Sequence, residues 1–276
     1  MESSAGGSKN GAVGAALRIA SGGHAFFAAT MIGLGIVGLV TGHFTPTFSG
    51  VPRGFPAREV LAYLCAAVSL VTGLGLLWRR TAALASRLLL VYFILWLLLF
   101  RVSRIFIAPK ELNTWWSCGD TAVMTAAAWV LYAWFAGDPD GPRFGFAAGD
   151  RGLGIARMLF GLALIPFGAA HFTNLNDTAP VVPGWLPWHV GWAYLTGGAF
   201  LAAGVAVLTG VCARLAATLT TLQIGLFTLL VWVPIVLAGP TAFQWNEFVS
   251  SWTLTAGAWV VADSYRGMPW LAPGRR

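Results

Sequence analysis

The sequence predicts an all-α transmembrane protein with eight helices, arranged as two parallel-repeated four-helix bundles. The prediction depends on three observations: the composition, eight apolar runs of spanning length, and an internal repeat. Of the 276 residues, 57% are hydrophobic and only 10% are charged. A soluble domain carries about 25% charged residues. Because so few charges cannot cover a surface that faces water, the chain is predicted to be an integral membrane protein.

Eight runs have the length of a membrane span, for which ~20 mostly apolar residues are needed. The first run has no signal-peptide cleavage site at its end and is therefore expected to be an uncleaved span. Before it, residues 1–12 are small and polar, and they are predicted to form a disordered tail. The eight runs cover 15–42, 57–78, 82–107, 115–136, 152–172, 189–209, 212–238 and 246–264.

The basic residues predict the orientation of the chain. The excess of 17 Lys and Arg over 10 Asp and Glu falls in short clusters between the apolar runs, which is typical of topology signals and not of nucleic-acid binding. With a cytoplasmic N-terminus, most of these residues face the cytoplasm, so both termini are predicted to lie there. The basic residues expected on the outer side are Arg53, Arg58, Arg101, Arg104 and Lys110.

A Gly-, Pro- and Asp-rich stretch at 137–151 predicts a cytoplasmic linker. It separates a first four-helix repeat, 13–136, from a second, 152–265, which is followed by a C-terminal tail, 266–276. Pro52 and Pro56 recur as Pro183 and Pro187 at an offset of 131 residues. Because each half has an even number of spans, the two halves are predicted to point the same way across the membrane.

Each half has a proline-containing loop after its first helix, and the second loop reads "VVPGWLPW". Its prolines stiffen the backbone. Trp185, Trp188 and Trp192 stand where an aromatic belt at the membrane surface is expected. Two interpretations stay open at this point: the tryptophans are interfacial anchors, or the loop is a preformed lid over an outward-facing cavity.

The stretch from Gly161 to Ala217 resembles the DoxX-like membrane proteins of bacteria. That family consists of four-helix units, so the resemblance implies a tandem of two units in the bacterial inner membrane. It further implies a quinone- or lipid-binding subunit or accessory of a membrane oxidoreduction system. The first half matches less well, since Gly54 and Phe55 replace the loop Trp and Leu. The matching residues are His171, Phe172, Val182, Pro183, Trp185, Leu186, Pro187, Tyr194, Gly197, Gly204 and Arg214 to Ala217.

Arg101 and Arg104 are the charges most costly to keep in a bilayer. Their spacing of three residues places both on one face of a regular helix. They are expected to snorkel to the outer headgroups, to bind an anionic group or a quinone carbonyl, or to form a structural ion pair with Asp120 or Glu247. The halves differ here, because no charge stands at the equivalent positions of the second half.

The sequence therefore predicts an outer-leaflet pocket, with His43 and Asp120 as secondary candidates. His43 and His171 each end a first helix and are predicted to be equivalent. Cofactors are unknown beyond a possible quinone, and no metal or haem is expected, since the necessary ligand spacing is absent. The expected partners are membrane lipids and a possible oxidoreductase subunit. The pocket residues are predicted to be Arg101, Arg104, Trp115, His171, Trp185 and Glu247.

A non-catalytic transporter or binding protein for a small solute or lipid is the alternative, because parallel repeats around a polar site also suit alternating access. Whether the chain catalyses a reaction is left open by the sequence. Cys65, Cys118 and Cys212 form no C-x-x-C motif. They are predicted to be packing residues rather than a redox pair.

Overall fold

The computed structural model describes residues 17–135 and 147–274, and within these ranges every named element is a helix. The predicted tail, 1–12, and most of the predicted linker, 137–151, lie outside the described residues. The last part of that linker, from Gly149 onward, is already helical.

Eight helices of twenty or more residues lie within the described ranges. Six of them, α1, α2, α3, α5, α6 and α7, are long and apolar enough to cross a membrane. The predicted all-α class and the membrane class are therefore confirmed. The other two long helices, α4 and α8, are less apolar than these six. The helices are α1 Gly22–Thr41, α2 Arg58–Leu77, α3 Ala82–Ile107, α4 Leu112–Phe135, α5 Gly149–Thr173, α6 His189–Thr209, α7 Ala213–Leu237 and α8 Ala242–Asp263.

Side-chain caps fix two helix starts that hydropathy alone places wrongly. Ser21 accepts a hydrogen bond from the backbone N–H of His24, so α1 begins at Gly22 and not near 15. Thr241 and Gln244 form a capping box, so α8 begins at Ala242 and not at 246. Such caps satisfy backbone N–H groups that a helix leaves unpaired, and they therefore act independently of hydropathy.

The third and seventh helices each contain a π-helical segment, at Leu97–Val102 in α3 and at Thr228–Trp232 in α7. A π turn is wider than an α turn and is frequent at functional sites. It changes the direction of the side chains that follow it. Arg101 lies inside the first of these segments.

Consecutive helices pack against each other within 17–135 and again within 147–274, and three pairs of long helices join these two groups. In these contacts α4 packs on α5, α8 packs on α1, and α4 packs on α8. Small residues allow the close approaches, as predicted for membrane helices. A Cβ atom at Gly73 would lie 2.8 Å from the Ile32 backbone N, and one at Gly204 would lie 3.0 Å from the Gly161 carbonyl oxygen.

The two proline loops differ in how they pack. In the first loop, the short 3-10 helix Pro46–Phe48 packs on α8, and Phe48 is 1% exposed. Its ring contacts Tyr92, Phe93 and Trp96 of α3 at centroid distances of 5.0–5.7 Å. In the second loop, Trp185 and Trp188 are 70% and 85% exposed. Thus only the first loop inserts an aromatic side chain into its helices.

Candidate ligand-binding site

Arg101 is a buried cation whose partners are neutral. Its side chain is 6% exposed. The Nε–H donates to the Thr121 hydroxyl on α4 at 3.1 Å, and Nη2 donates to the Ser49 hydroxyl at 3.1 Å. Nη1 lies beside Gly50, where an added Cβ atom would be 2.9 Å away. A guanidinium has five N–H donors, so Arg101 keeps donors for a further acceptor.

Arg104 does not share this environment, because its side chain is exposed. The prediction that both arginines occupy one face assumed a regular α-helix. The π segment Leu97–Val102 breaks that regularity directly before Arg104. The exposed position of Arg104 is that of a snorkelling side chain. Of the two arginines, only Arg101 is buried between helices.

One carboxylate, Asp120, lies near Arg101 without contacting it directly. Asp120 on α4 is half-buried, and its Oδ1 atom is fully enclosed without a hydrogen-bond partner among the described residues. It lies within electrostatic range of Arg101 and, separately, of Glu247 on α8. Because electrostatic interactions strengthen in a medium of low dielectric constant, this charged cluster couples α3, α4 and α8. Of the predicted residues, the structure thus brings Arg101, Asp120 and Glu247 together.

His171 lies on α5 in an aromatic cluster and is 7% exposed. Its Nδ1–H donates to the Phe167 carbonyl oxygen at 2.7 Å. The imidazole is nearly parallel to the rings of Trp116 and Phe227, with interplanar angles of 13° and 24° and centroid distances of 5.8 and 6.2 Å. Phe200 closes a further side at 5.4 Å. For Nε2, no partner is found within the described residues, and this atom is not among the fully enclosed ones.

Trp116, and not the predicted Trp115, belongs to this cluster. Trp115 is 41% exposed, and its indole N–H donates to the Pro109 carbonyl oxygen at 2.9 Å. One residue further along a helix turns the side chain by ~100°, which takes Trp116 inward. Trp116 and Asp120 are four residues apart and share one face of α4. This face connects the His171 cluster with the charges around Arg101.

The remaining predicted residues lie elsewhere. His43 follows the C-cap Gly42 and therefore lies outside α1, and its side chain is exposed. The two histidines that were predicted to be equivalent therefore differ in position and in burial, since His171 is buried inside a helix. Trp185 is 70% exposed in its loop and has no described ring contact with either cluster. Its exposure is that of an interfacial anchor.

Within 17–135 and 147–274, no group of three or more His, Cys, Asp or Glu side chains is placed to hold a metal ion. The three cysteines are free thiols. Fold and site together define the class: an all-helical, multi-pass membrane protein with a buried polar cluster among its helices. Comparisons with the models of known protein families, with curated proteins and with solved structures find no match to this chain.

Proposed function

We propose that the chain is a tandem of two DoxX-like units in the bacterial inner membrane, with eight spans and both termini in the cytoplasm. In this arrangement 13–136 and 152–265 are parallel repeats. The fourth helix of each unit, α4 or α8, packs against the first helix of the other unit. Such an exchange is what two similar units produce when a two-fold axis along the membrane normal relates them.

Local features recur at constant offsets and support this repeat. The π segments begin at Leu97 and Thr228, which are 131 residues apart. The left-handed residues that precede α2 and α6, Ala57 and Trp188, have the same offset. The residues of α1 that contact α2 correspond to the residues of α5 that contact α6 at an offset of 133. The corresponding residues are Ala28 and Gly161, Gly35 and Gly168, and Gly38 and His171.

We further propose that the protein binds a hydrophobic ligand bearing an oxygen acceptor, a quinone or a lipid, as a subunit or accessory of a membrane oxidoreduction system. The observation that carries this proposal is the burial of Arg101, whose hydrogen-bond partners among the described residues are two neutral hydroxyl groups. A charge within a bilayer is costly and normally has a functional reason. A carbonyl or phosphate oxygen at the free guanidinium donors would offset that cost.

Within this proposal the neighbouring groups have separate roles. Arg101 orients the ligand oxygen by donating hydrogen bonds to it. Asp120 holds or exchanges a proton near that oxygen, and Glu247 exchanges a proton with Asp120. This role is supported by the enclosed Oδ1 of Asp120, which has no hydrogen-bond partner among the described residues, and by the range of Asp120 to Arg101 and to Glu247. The lipid-facing surfaces of α3 and α7 carry exposed leucines, such as Leu98 and Leu229, against which an apolar tail can pack.

The Arg101→Met variant is expected to retain at least tenfold less ligand, because a hydrogen bond to a charged group contributes about 1.5–3 kcal/mol. The measurement is mass spectrometry of quinones and phospholipids extracted from the detergent-purified protein, per mole of protein. A loss confined to quinones supports the redox role, and a loss confined to one phospholipid class supports a lipid-binding role.

Arg104→Met is the matched control, since it removes the same charge from an exposed site on the same helix. It is expected to leave the retained ligand unchanged. Equal retention by Arg101→Met and wild type, with both proteins folded, would refute the proposed binding role of Arg101.

A specific observation also favours the alternative, a transporter for a small polar solute. The helices between the two units are α4 and α8. They are less apolar than the other six long helices, and they carry Asp120 and Glu247. A polar path between two units suits alternating access. Solute uptake into proteoliposomes, sensitive to Asp120→Asn and without any quinone in the preparation, would favour this function over the first.

A further inference from the structure

Equivalent spaces in the two units are filled by different groups. In the first unit the phenyl ring of Phe48 comes from the loop and lies against Trp96 of α3, while its 3-10 helix packs on α8. In the second unit the imidazole of His171 comes from α5 and lies against Phe227 of α7 and Trp116 of α4. Trp96 and Phe227 are equivalent at the offset of 131.

The neighbouring residues complete this exchange. Gly38 stands in the first unit at the position of His171, and an added Cβ atom there would lie 2.7 Å from the Ala66 Cβ atom. At offsets of 131–133 from Phe48 the second unit has Ala179, Pro180 and Val181, none of which has an aromatic ring. The second unit has therefore replaced an apolar ring by one with a polar edge.

The polar edge of this ring is the Nε2 atom of His171. In the first unit, Trp96 Nε1 is a fully enclosed polar atom without a hydrogen-bond partner among the described residues. The Nε2 atom of His171 has no partner within the described residues and is not fully enclosed. Because the Nδ1–H is donated to Phe167, a neutral imidazole presents a lone pair at Nε2.

We propose that His171 Nε2 accepts a hydrogen bond from the hydroxyl group of a flat aromatic ligand, a phenol or the dihydroxy form of a quinone. The class follows from two features: the lone pair requires a donor, and the rings of Trp116 and Phe227, each nearly parallel to the imidazole, favour a flat ring beside them. Because His171 is only 7% exposed, its Nε2 acceptor has little contact with water, and a ligand hydroxyl supplies the missing donor.

This inference rests on the proposed two-unit arrangement and deepens the proposed ligand binding, because it adds a hydroxyl donor at His171 to the proposed oxygen acceptor at Arg101. The probe is a 4-alkylphenol with a diazirine in its chain, which labels nearby side chains on irradiation. The competitors are 4-nonylphenol and its methyl ether, 4-nonylanisole, which differ only in the O–H donor.

In the wild-type protein, mass spectrometry is expected to locate the label on α6 or α7 near Phe200 and Phe227. The phenol is expected to compete about tenfold better than the ether, as one hydrogen bond predicts. His171→Phe, which copies the ring that the first unit uses, is expected to abolish that preference. Equal competition by phenol and ether in the wild type, or label only on exposed residues such as Leu222, would overturn the proposal.

His43→Phe is the matched control, because it makes the same replacement at an exposed position, and it is expected to keep the tenfold preference. The wild-type competition needs no variant, so it stays decisive if His171→Phe does not fold. The Arg101→Met variant distinguishes the proposed binding role of Arg101 from the proposed role of His171. Loss of co-purified ligand tests Arg101, whereas the ratio of phenol to ether competition tests His171. That ratio is expected to be unchanged in Arg101→Met.

Discussion

Gly35→Ala is expected to separate α1 from α2 and to destabilise the protein by several kcal/mol. An added Cβ atom would lie 2.6 Å from the Leu70 backbone N and 2.8 Å from the Ala66 carbonyl oxygen. Because both are backbone atoms of α2, no side-chain rotation relieves the overlap, and the helices must move apart. Membrane helices associate largely through such close packing, so the loss extends along the interface. Unfolding in mixed micelles with increasing SDS measures the change.

Gly33→Ala is the matched control, since Gly33 lies on the same helix two residues away. An added Cβ atom there meets nothing within 4 Å. Alanine has a higher helix propensity than glycine by about 0.8–1.0 kcal/mol, so this variant is expected to be neutral or slightly stabilised. Equal unfolding curves for the two variants would mean that α1 and α2 do not approach each other as described.

Phe48→Ala is expected to cost about 3–5 kcal/mol, the range for removing a buried aromatic side chain from a packed core. Phe48 is 1% exposed and fills the space between its loop and the rings of Tyr92, Phe93 and Trp96. Loss of the ring leaves a cavity and releases the loop from α3 and α8. The same SDS unfolding experiment gives the magnitude, and protease cleavage of the loop reports its release.

Phe106→Ala serves as the comparison, because Phe106 is 82% exposed near the end of α3. It is expected to change the unfolding free energy by ~0.5 kcal/mol or less, as surface substitutions usually do. A Phe48→Ala protein as stable and as protease-resistant as Phe106→Ala would show that the loop does not anchor the first unit.

Together these two expected effects distinguish the close approach of the helices from the groups that fill the spaces between them. Glycines allow α1 to approach α2, at Gly35 and Gly73, and α5 to approach α6, at Gly168 and Gly204. The aromatic clusters beside these helix pairs differ, with Phe48 in one and His171 in the other. The glycine contacts are thus similar, while Phe48 and His171 differ in polarity.

The sequence by itself determined the all-helical membrane class and most of the apolar helices. Low charge and long apolar runs favour helices, because a bilayer requires backbone polar groups to be paired within the protein and a helix pairs them within a single segment. It also indicated that Arg101 and Arg104 are the charges most costly to keep in a bilayer. Hydropathy misplaced the starts of α1 and α8, although the caps at Ser21 and Thr241 were readable in the sequence.

Only the tertiary structure decided which polar residues meet. Arg101 is buried and Arg104 is exposed because a π turn alters the direction of side chains. Hydropathy does not indicate where such a turn occurs. Trp116 replaced Trp115 because a rotation of ~100° per residue decides which of two adjacent tryptophans faces inward. His43 and His171 stand in similar sequence motifs, but His43 lies beyond the end of α1 and His171 lies within α5. Burial depends on how helices pack, and packing is settled by contacts between residues far apart in the chain.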